Sequence, residues 1–369
     1  PFLRPEILFS LIDQAKRYNM EVGLNSNAIL ITKNYAYRLA DNGLDHALIS
    51  LLGTETTHNS IVNMPTGFKD TCKGINNLIN SGIKTAVNMV VSKLNQSEVN
   101  KVGKIIKELG VKTFCVTPIV PSHQSHSQYL LTGEECKKAL RNLLKIKENL
   151  NLDIDTLEPI ARCLFNEDEE DDFVYFFGNR ICSAAVSSCV VSSNGNVRPC
   201  IHADKEFGNI LKEDMSVVWE RMEPWSNANI LPEECRSCNA NIVCEGGCRM
   251  SAKLTCGQYN GKDMYMTDPI MNSERIKKLP KGNISNVDED ALLKINPQVH
   301  SRKERFGWII YIGNNVEFCT ENGFSFITRL IAKDSFTIKS IVKEFKYQPE
   351  QIVPIVNRLF KIKIVTIAK

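Results

Sequence analysis

The chain has 369 residues, 43% of them hydrophobic and 24% charged, which excludes disorder along its whole length and any fibrous repeat. Lys and Arg total 45 against 42 Asp and Glu, so net charge does not select nucleic acid as a partner. No apolar run approaches the ~20 residues of a membrane span and no basic-then-apolar leader opens the chain, so the expectation is a cytoplasmic protein without a membrane partner.

Strand and helix patterns alternate from the start. Ile7, Leu8, Leu11, Ile12 and Ala15 form one apolar stripe, which predicts a helix over residues 5–18. A short strand with a polar end follows in MEVGLNSN (20–27), then a helix over 32–42 and a strand at HALISLLG (46–53). Helices are predicted over 67–79 and 97–109, and strands at KTAVNMVV (84–91) and VKTFCVTPIVP (111–121). The last helix of this part, 132–150, opens on Thr132 and Glu135, the spacing of a capping box. Four strands alternating with five helices predict parallel βαβ units, whose chemistry gathers at the C-terminal strand ends.

The pattern breaks near residue 151. The acidic run at 167–172 reads as a solvated loop. Nine of the 13 cysteines then fall between Cys163 and Cys256. Residues 272–300 read as a linker. The last 70 residues predict strands at 308–312 and 316–319 around a turn at Gly313-Asn314-Asn315, then three helices and a closing strand, the outline of a winged helix. From His300 onward the chain carries a net charge of +6, suited to nucleic acid or to an acidic peptide.

The cysteines carry the chemistry. Cys235, Cys238, Cys244 and Cys248 follow a Cys-x2-Cys-x5-Cys-x3-Cys spacing, with Cys182 and Cys200 upstream and Cys256 downstream. Close thiolate pairs suit soft metals, either zinc or iron in iron–sulfur clusters. Cys72, Cys115, Cys136 and Cys319 read as packing residues, and Trp219 and Trp225 as core or rim aromatics. His123 and His126 fall in a loop after a strand end and read as polar loop residues.

This cysteine spacing resembles the SPASM domain of radical S-adenosylmethionine (SAM) enzymes, and the first half resembles the same family's partial (β/α)6 barrel. PFLRPEI resembles the stretch after the family's Gly-Gly-Glu. Ser26-Asn27-Ala28 stands for its Thr-Asn-Gly, Ile49 to Gly53 for its Ser-Leu-Asp-Gly, and His58-Asn59 for its His-Asp. Leu52 replaces the Asp of the strand-end motif. The family's Cys-x3-Cys-x2-Cys and Gly-Gly-Glu do not occur in this chain, so the expectation is that they lie upstream of Pro1 or are missing. Nor does a cysteine follow Asp268-Pro269, where the family places its last ligand.

The resemblance implies an α/β protein with four parts: a radical SAM barrel over 1–155, a SPASM domain over 156–275, a linker over 276–300 and a PqqD-like winged helix over 301–369. It implies SAM bound near Asn27 and Ser50, and two auxiliary 4Fe–4S clusters. Cys235, Cys238, Cys244 and Cys256 would hold the outer one. Cys182, Cys200 and Cys248 would hold the inner one, with Cys163, Cys189 or substrate as its fourth ligand. The activity implied is maturation of a ribosomally made peptide through hydrogen abstraction by the 5′-deoxyadenosyl radical. The precursor's leader would bind at 301–369, and ferredoxin or flavodoxin would supply electrons. The alternatives are a sulfatase or tetrapyrrole maturase, and a non-catalytic iron–sulfur or zinc protein.

Overall fold

A computed structural model describes all residues except 1, 122–123, 166–168, 170–172, 174–175, 177–181, 223–224, 226–229, 241–243, 245, 272–286, 305–306, 313–314, 347 and 369. His123, most of the acidic run, much of the expected linker and the tip of the Gly313 turn lie outside the described residues. The chain divides into two units, Pro1–Leu279 and Pro280–Lys369.

In the first unit the strands β1 (Gly23–Ser26), β2 (His46–Ser50), β3 (Lys84–Val91), β4 (Thr113–Pro118) and β5 (Asp153–Asp155) form one parallel sheet in that order. The connections are helical: α1 (Pro5–Arg17), α2 (Lys33–Asp41), α3 (Glu55–Val62), α4 (Gly67–Asn80), α5 (Val99–Glu108) and α6 (Gly133–Leu150). The expected capping box is present, with the Thr132 side chain accepting from the Glu135 amide and Glu135 accepting from the Thr132 amide. Two elements go beyond the sequence reading. Strand β5 has only three residues in an Asp-Ile-Asp pattern, and α3 is a polar helix with one buried residue, His58, so neither offers an apolar period.

The two faces of the sheet differ. Leu24, Ile49, Val87, Met89, Phe114, Val116 and Ile154 point into one apolar core and are at most 5% exposed. The register sets Ser50 beside Asn88, Asn88 beside Cys115 and Cys115 beside Asp155, so a polar row runs across the other face. Glu169, the one described member of the acidic run, is not a solvated loop residue. It lies 18% exposed against Lys137 and Arg141, and the Lys137 side chain, itself 5% exposed, pairs its ammonium with both Glu169 and Glu134.

The cysteine-bearing part of this unit has little regular structure. A three-stranded antiparallel sheet, β6 (Val190–Val191), β7 (Asn196–Arg198) and β8 (Gly208–Asn209), turns at Gly195, whose φ of +85° suits a glycine. Helices α7 (Met215–Arg221), α8 (Glu233–Arg236) and α9 (Arg249–Cys256) follow. Val197, Val218, Met222 and Trp225 form a small core.

The second unit pairs β9 (Leu293–Ile295) with β13 (Val365–Ile367), and joins β10 (His300–Glu304), β11 (Gly307–Ile312) and β12 (Asn315–Cys319) in a three-stranded antiparallel sheet; β9, inside the expected linker, and β10 are two strands more than the sequence suggests. Strand β10 is polar (HSRKE), which hid it from an apolar-pattern reading. Helices α10 (Glu321–Ile331), α11 (Ile338–Phe345) and α12 (Pro349–Lys361) complete it. Their core includes Leu330, Ile341 and Val356, all at 0% exposure. Among the described residues no helix is long and apolar enough to cross a membrane.

Candidate functional site

The C-terminal ends of the parallel strands are held by a net of side chains. Asn27, just past β1, is exposed; its side chain accepts from the Ile29 amide, and its carbonyl accepts from Thr71 Oγ1 at 2.9 Å. Ala28 then turns through a φ of +59°, a left-handed conformation costly for any residue with a Cβ. Gly74 of α4 packs onto it so closely that a Cβ there would stand 2.2 Å from the Ala28 carbonyl oxygen. Ser50 ends β2 half-buried, beside Asn88. Asn95, 1% exposed, donates to both the Leu52 and Val90 carbonyls and ties the ends of β2 and β3 together. His58 is buried, and its Nδ1 accepts from the Leu52 amide at 3.0 Å. Burial pushes its pKa below the ordinary value, keeping the ring neutral as an acceptor. Thr117 Oγ1 donates to Asn88 Oδ1 at 2.8 Å and accepts from the Leu157 amide, linking β4 to the chain past β5. The result is a rigid polar edge facing away from the apolar core. The sequence reading selected Asn27 and Ser50 there; it missed Asn88, in the middle of β3, and Asn95, four residues past the end of that strand.

The thiols form two groups. Cys163, Cys235, Cys238 and Cys244 line one pocket together with Met266 and Pro269. Three backbone amides reach its sulfurs, each at 3.3 Å: Arg162 to Cys244, Thr267 to Cys163 and Ile270 to Cys238. Burial, then the neighbouring thiol of Cys244, pushes Cys235 up to about 12. Gly246, at a φ of +73°, brings its backbone against Cys235; a Cβ there would meet the sulfur at 3.3 Å. Cys182, Cys200 and Cys248 line a second pocket, with the Glu158–His202 pair, 3.4 Å apart, on its wall. Cys189 packs into the small core nearby. Cys256 is exposed at the end of α9, its thiol donating to the Lys262 carbonyl at 3.1 Å. Cys115 and Cys136 are buried in or beside the sheet core, and Cys72 and Cys319 pack partly buried against the cores of their units.

Two further residues support the second group. Asp263, 3% exposed, accepts from the Cys248 and Tyr265 amides, and burial raises it to about 6 against those hydrogen bonds and the Arg249 charge. Arg249, also 3% exposed, donates to the carbonyls of Gly246, Tyr259 and Gly261, closing the loop after α9. A charged residue beside a clustered cysteine was the signal available for Arg249; nothing local marks Asp263.

Among the described residues no three His, Cys, Asp or Glu groups gather tightly enough for a single metal ion. The first four thiols stand around their pocket instead. Four cysteines, amide donors aimed at the sulfurs and an apolar wall suit an iron–sulfur cluster, whose thiolate charge those amides would stabilise. At the second pocket three thiols beside the Glu158 and His202 side chains also suit a soft-metal group, with one ligand position left to another donor.

Comparison with known proteins agrees with this chemistry. Residues 1–106 match the Radical SAM superfamily, and residues 182–239 match the SPASM iron–sulfur cluster-binding domain. An AdoMet-dependent heme synthase of Methanosarcina barkeri is 25% identical over 72% of this chain and 79% of its own. The mycofactocin maturase MftC of Mycolicibacterium smegmatis is 26% identical over 75% of this chain and 72% of its own. Among solved structures, native anSMEcpe with bound AdoMet and Kp18Cys peptide superposes with a TM-score of 0.54 at 21% identity, over 70% of this chain and 76% of that one, a likeness of fold. By these matches the chain carries a Radical SAM superfamily region followed by a SPASM iron–sulfur cluster-binding region.

Proposed function

We propose that this enzyme modifies a ribosomally made peptide and that its second unit binds the peptide's leader. The observation that carries the reading is a groove of about 390 Å³ beside β12, an outer strand of its three-stranded sheet. Glu317 and Cys319 of β12, Phe326 and Ile327 of α10, and Ile355 and Arg358 of α12 line it. An extended peptide can add a strand to such an edge, with backbone hydrogen bonds for affinity and apolar pockets for side-chain choice. Ile355 is 44% exposed, an apolar surface open to a partner. Arg358 is exposed and paired with Glu317 at 2.7 Å, and residues 300–369 carry a net charge of +6, which favours an acidic leader competing for that arginine. Docking raises the effective concentration of the segment to be modified.

In the first unit, SAM supplies the radical chemistry when bound. The loop at Asn27 and the polar row at Ser50 and Asn88 would orient it through hydrogen bonds, while the thiol pockets would hold iron–sulfur groups able to take up an electron. The maturase relative and the peptide-bound structure of similar fold support a peptide substrate. The heme synthase relative favours a tetrapyrrole as the second reading.

A binding measurement separates the two. Fluorescence anisotropy with a panel of labelled acidic leader peptides should show binding by the anaerobically prepared chain. That binding should weaken at least tenfold in Ile355→Asp and Arg358→Glu, with iron content unchanged. Binding of an iron porphyrin but of no leader, with both variants behaving as wild type, would decide for the tetrapyrrole.

A further inference from the structure

The outer thiol set lacks the cysteine that the family resemblance places after Asp268-Pro269, where this chain has Met271. The structure fills that place from the other direction. Pro269 lines the pocket, the Ile270 amide reaches Cys238, and the side chain standing against this segment is Cys163. Cys163 is fixed there twice: its sulfur accepts from the Thr267 amide at 3.3 Å, and its carbonyl accepts from Thr267 Oγ1. Its chain neighbour Arg162 places its amide on Cys244, so one short turn, Arg162–Leu164, serves two of the four sulfurs. Cys256, the sequence-based choice for this role, is absent from the pocket wall. It is exposed and spends its thiol proton on the Lys262 carbonyl.

We infer that Cys163, and not Cys256, is the fourth thiolate of the outer set with Cys235, Cys238 and Cys244, so that the missing downstream cysteine is replaced by one supplied from upstream. The group bound is an iron–sulfur cluster, and each thiol gives up its proton to solvent as iron binds. Cys163 is thereby unavailable to the inner set, which keeps Cys182, Cys200 and Cys248. The inference is independent of what the enzyme modifies and requires only that this region binds a cluster.

Iron and sulfide analysis of the full chain, reconstituted anaerobically, tests it. Cys163→Ala should lose roughly four iron atoms per chain relative to wild type, while Cys256→Ala should keep the wild-type content and the wild-type electron paramagnetic resonance spectrum after reduction. Since a core variant can fail to fold, wild-type protein supplies a second measurement. Thiol alkylation read by mass spectrometry should label Cys256 equally with and without iron, and should label Cys163 together with Cys235, Cys238 and Cys244 at least tenfold more once iron is removed. Iron-dependent protection of Cys256 with none at Cys163, or full iron content in a folded Cys163→Ala, would overturn the inference. So would zinc in place of iron in the reconstituted protein.

Discussion

The parallel sheet and the cysteine-bearing region belong to one unit but are held together by different means. The sheet rests on a continuous apolar core whose strands run up to eight residues, with Val87, Met89, Phe114 and Val116 fully buried. The cysteine region has strands of two or three residues and a core of a few side chains. A sheet that small is marginal in water. Its distant segments are joined by a few polar contacts, such as Asn239 to the Ile270 carbonyl, and by amide contacts to sulfur, so much of its order depends on what the sulfurs hold. A region stabilised by burial tolerates loss of a cofactor, and one stabilised through ligands does not.

The contrast can be broken most severely from the sheet side. Phe114→Ala removes a fully buried ring from β4 and should cost about 3–5 kcal/mol of stability, read by denaturant unfolding. Iron per chain in the variant that remains folded should not change. An equal loss of iron would mean that the two regions unfold as one cooperative block.

Next in size is the reverse experiment. Removing iron by anaerobic chelation should lower hydrogen-exchange protection at the amides of Arg162, Thr267 and Ile270 by about 100-fold, or about 2.7 kcal/mol, while β2, β3 and β4 keep theirs. Equal loss across the sheet would remove the distinction drawn here.

How much of this was legible in the sequence follows the same division. The α6 capping box and the apolar strands β3 and β4 could be read because a helix cap and an apolar run are local signals. Strand β5 was not, because three residues alternating Asp-Ile-Asp carry no run to detect. The spacing at Cys235, Cys238 and Cys244 was legible for the same local reason. The place of Cys163 was not, because its partners stand far along the chain and only the folded path brings them together. The unfilled position after Pro269 was the one trace of it in the sequence.

The smallest effect concerns charge, at the edge of the sheet. Asp45 accepts from Lys16 at 2.5 Å and from the Val22 amide at 2.7 Å. Burial alone would raise its pKa, but these partners hold it below the ordinary carboxylate value. A depressed carboxylate stabilises the fold above its unfolded pKa near 4, and that contribution disappears as pH falls through the lower, folded value. Lys16→Met should flatten the acid limb of the stability–pH curve by less than about 1 kcal/mol, the pair being partly exposed. A steeper acid limb in the variant would show that another group governs acid unfolding.

The 104 positions between Cys163 and Thr267 also have a meaning in time. A ribosome adding about 5–20 residues per second needs roughly 5–20 seconds to make that stretch. Throughout it the first thiol is already synthesised while the segment that will cover it does not yet exist. An oxidant acting in that window could cap the sulfur before its partners appear. Oxidative damage to the outer pocket should therefore be heavier when oxygen is present during synthesis than when the finished, iron-loaded protein meets the same dose.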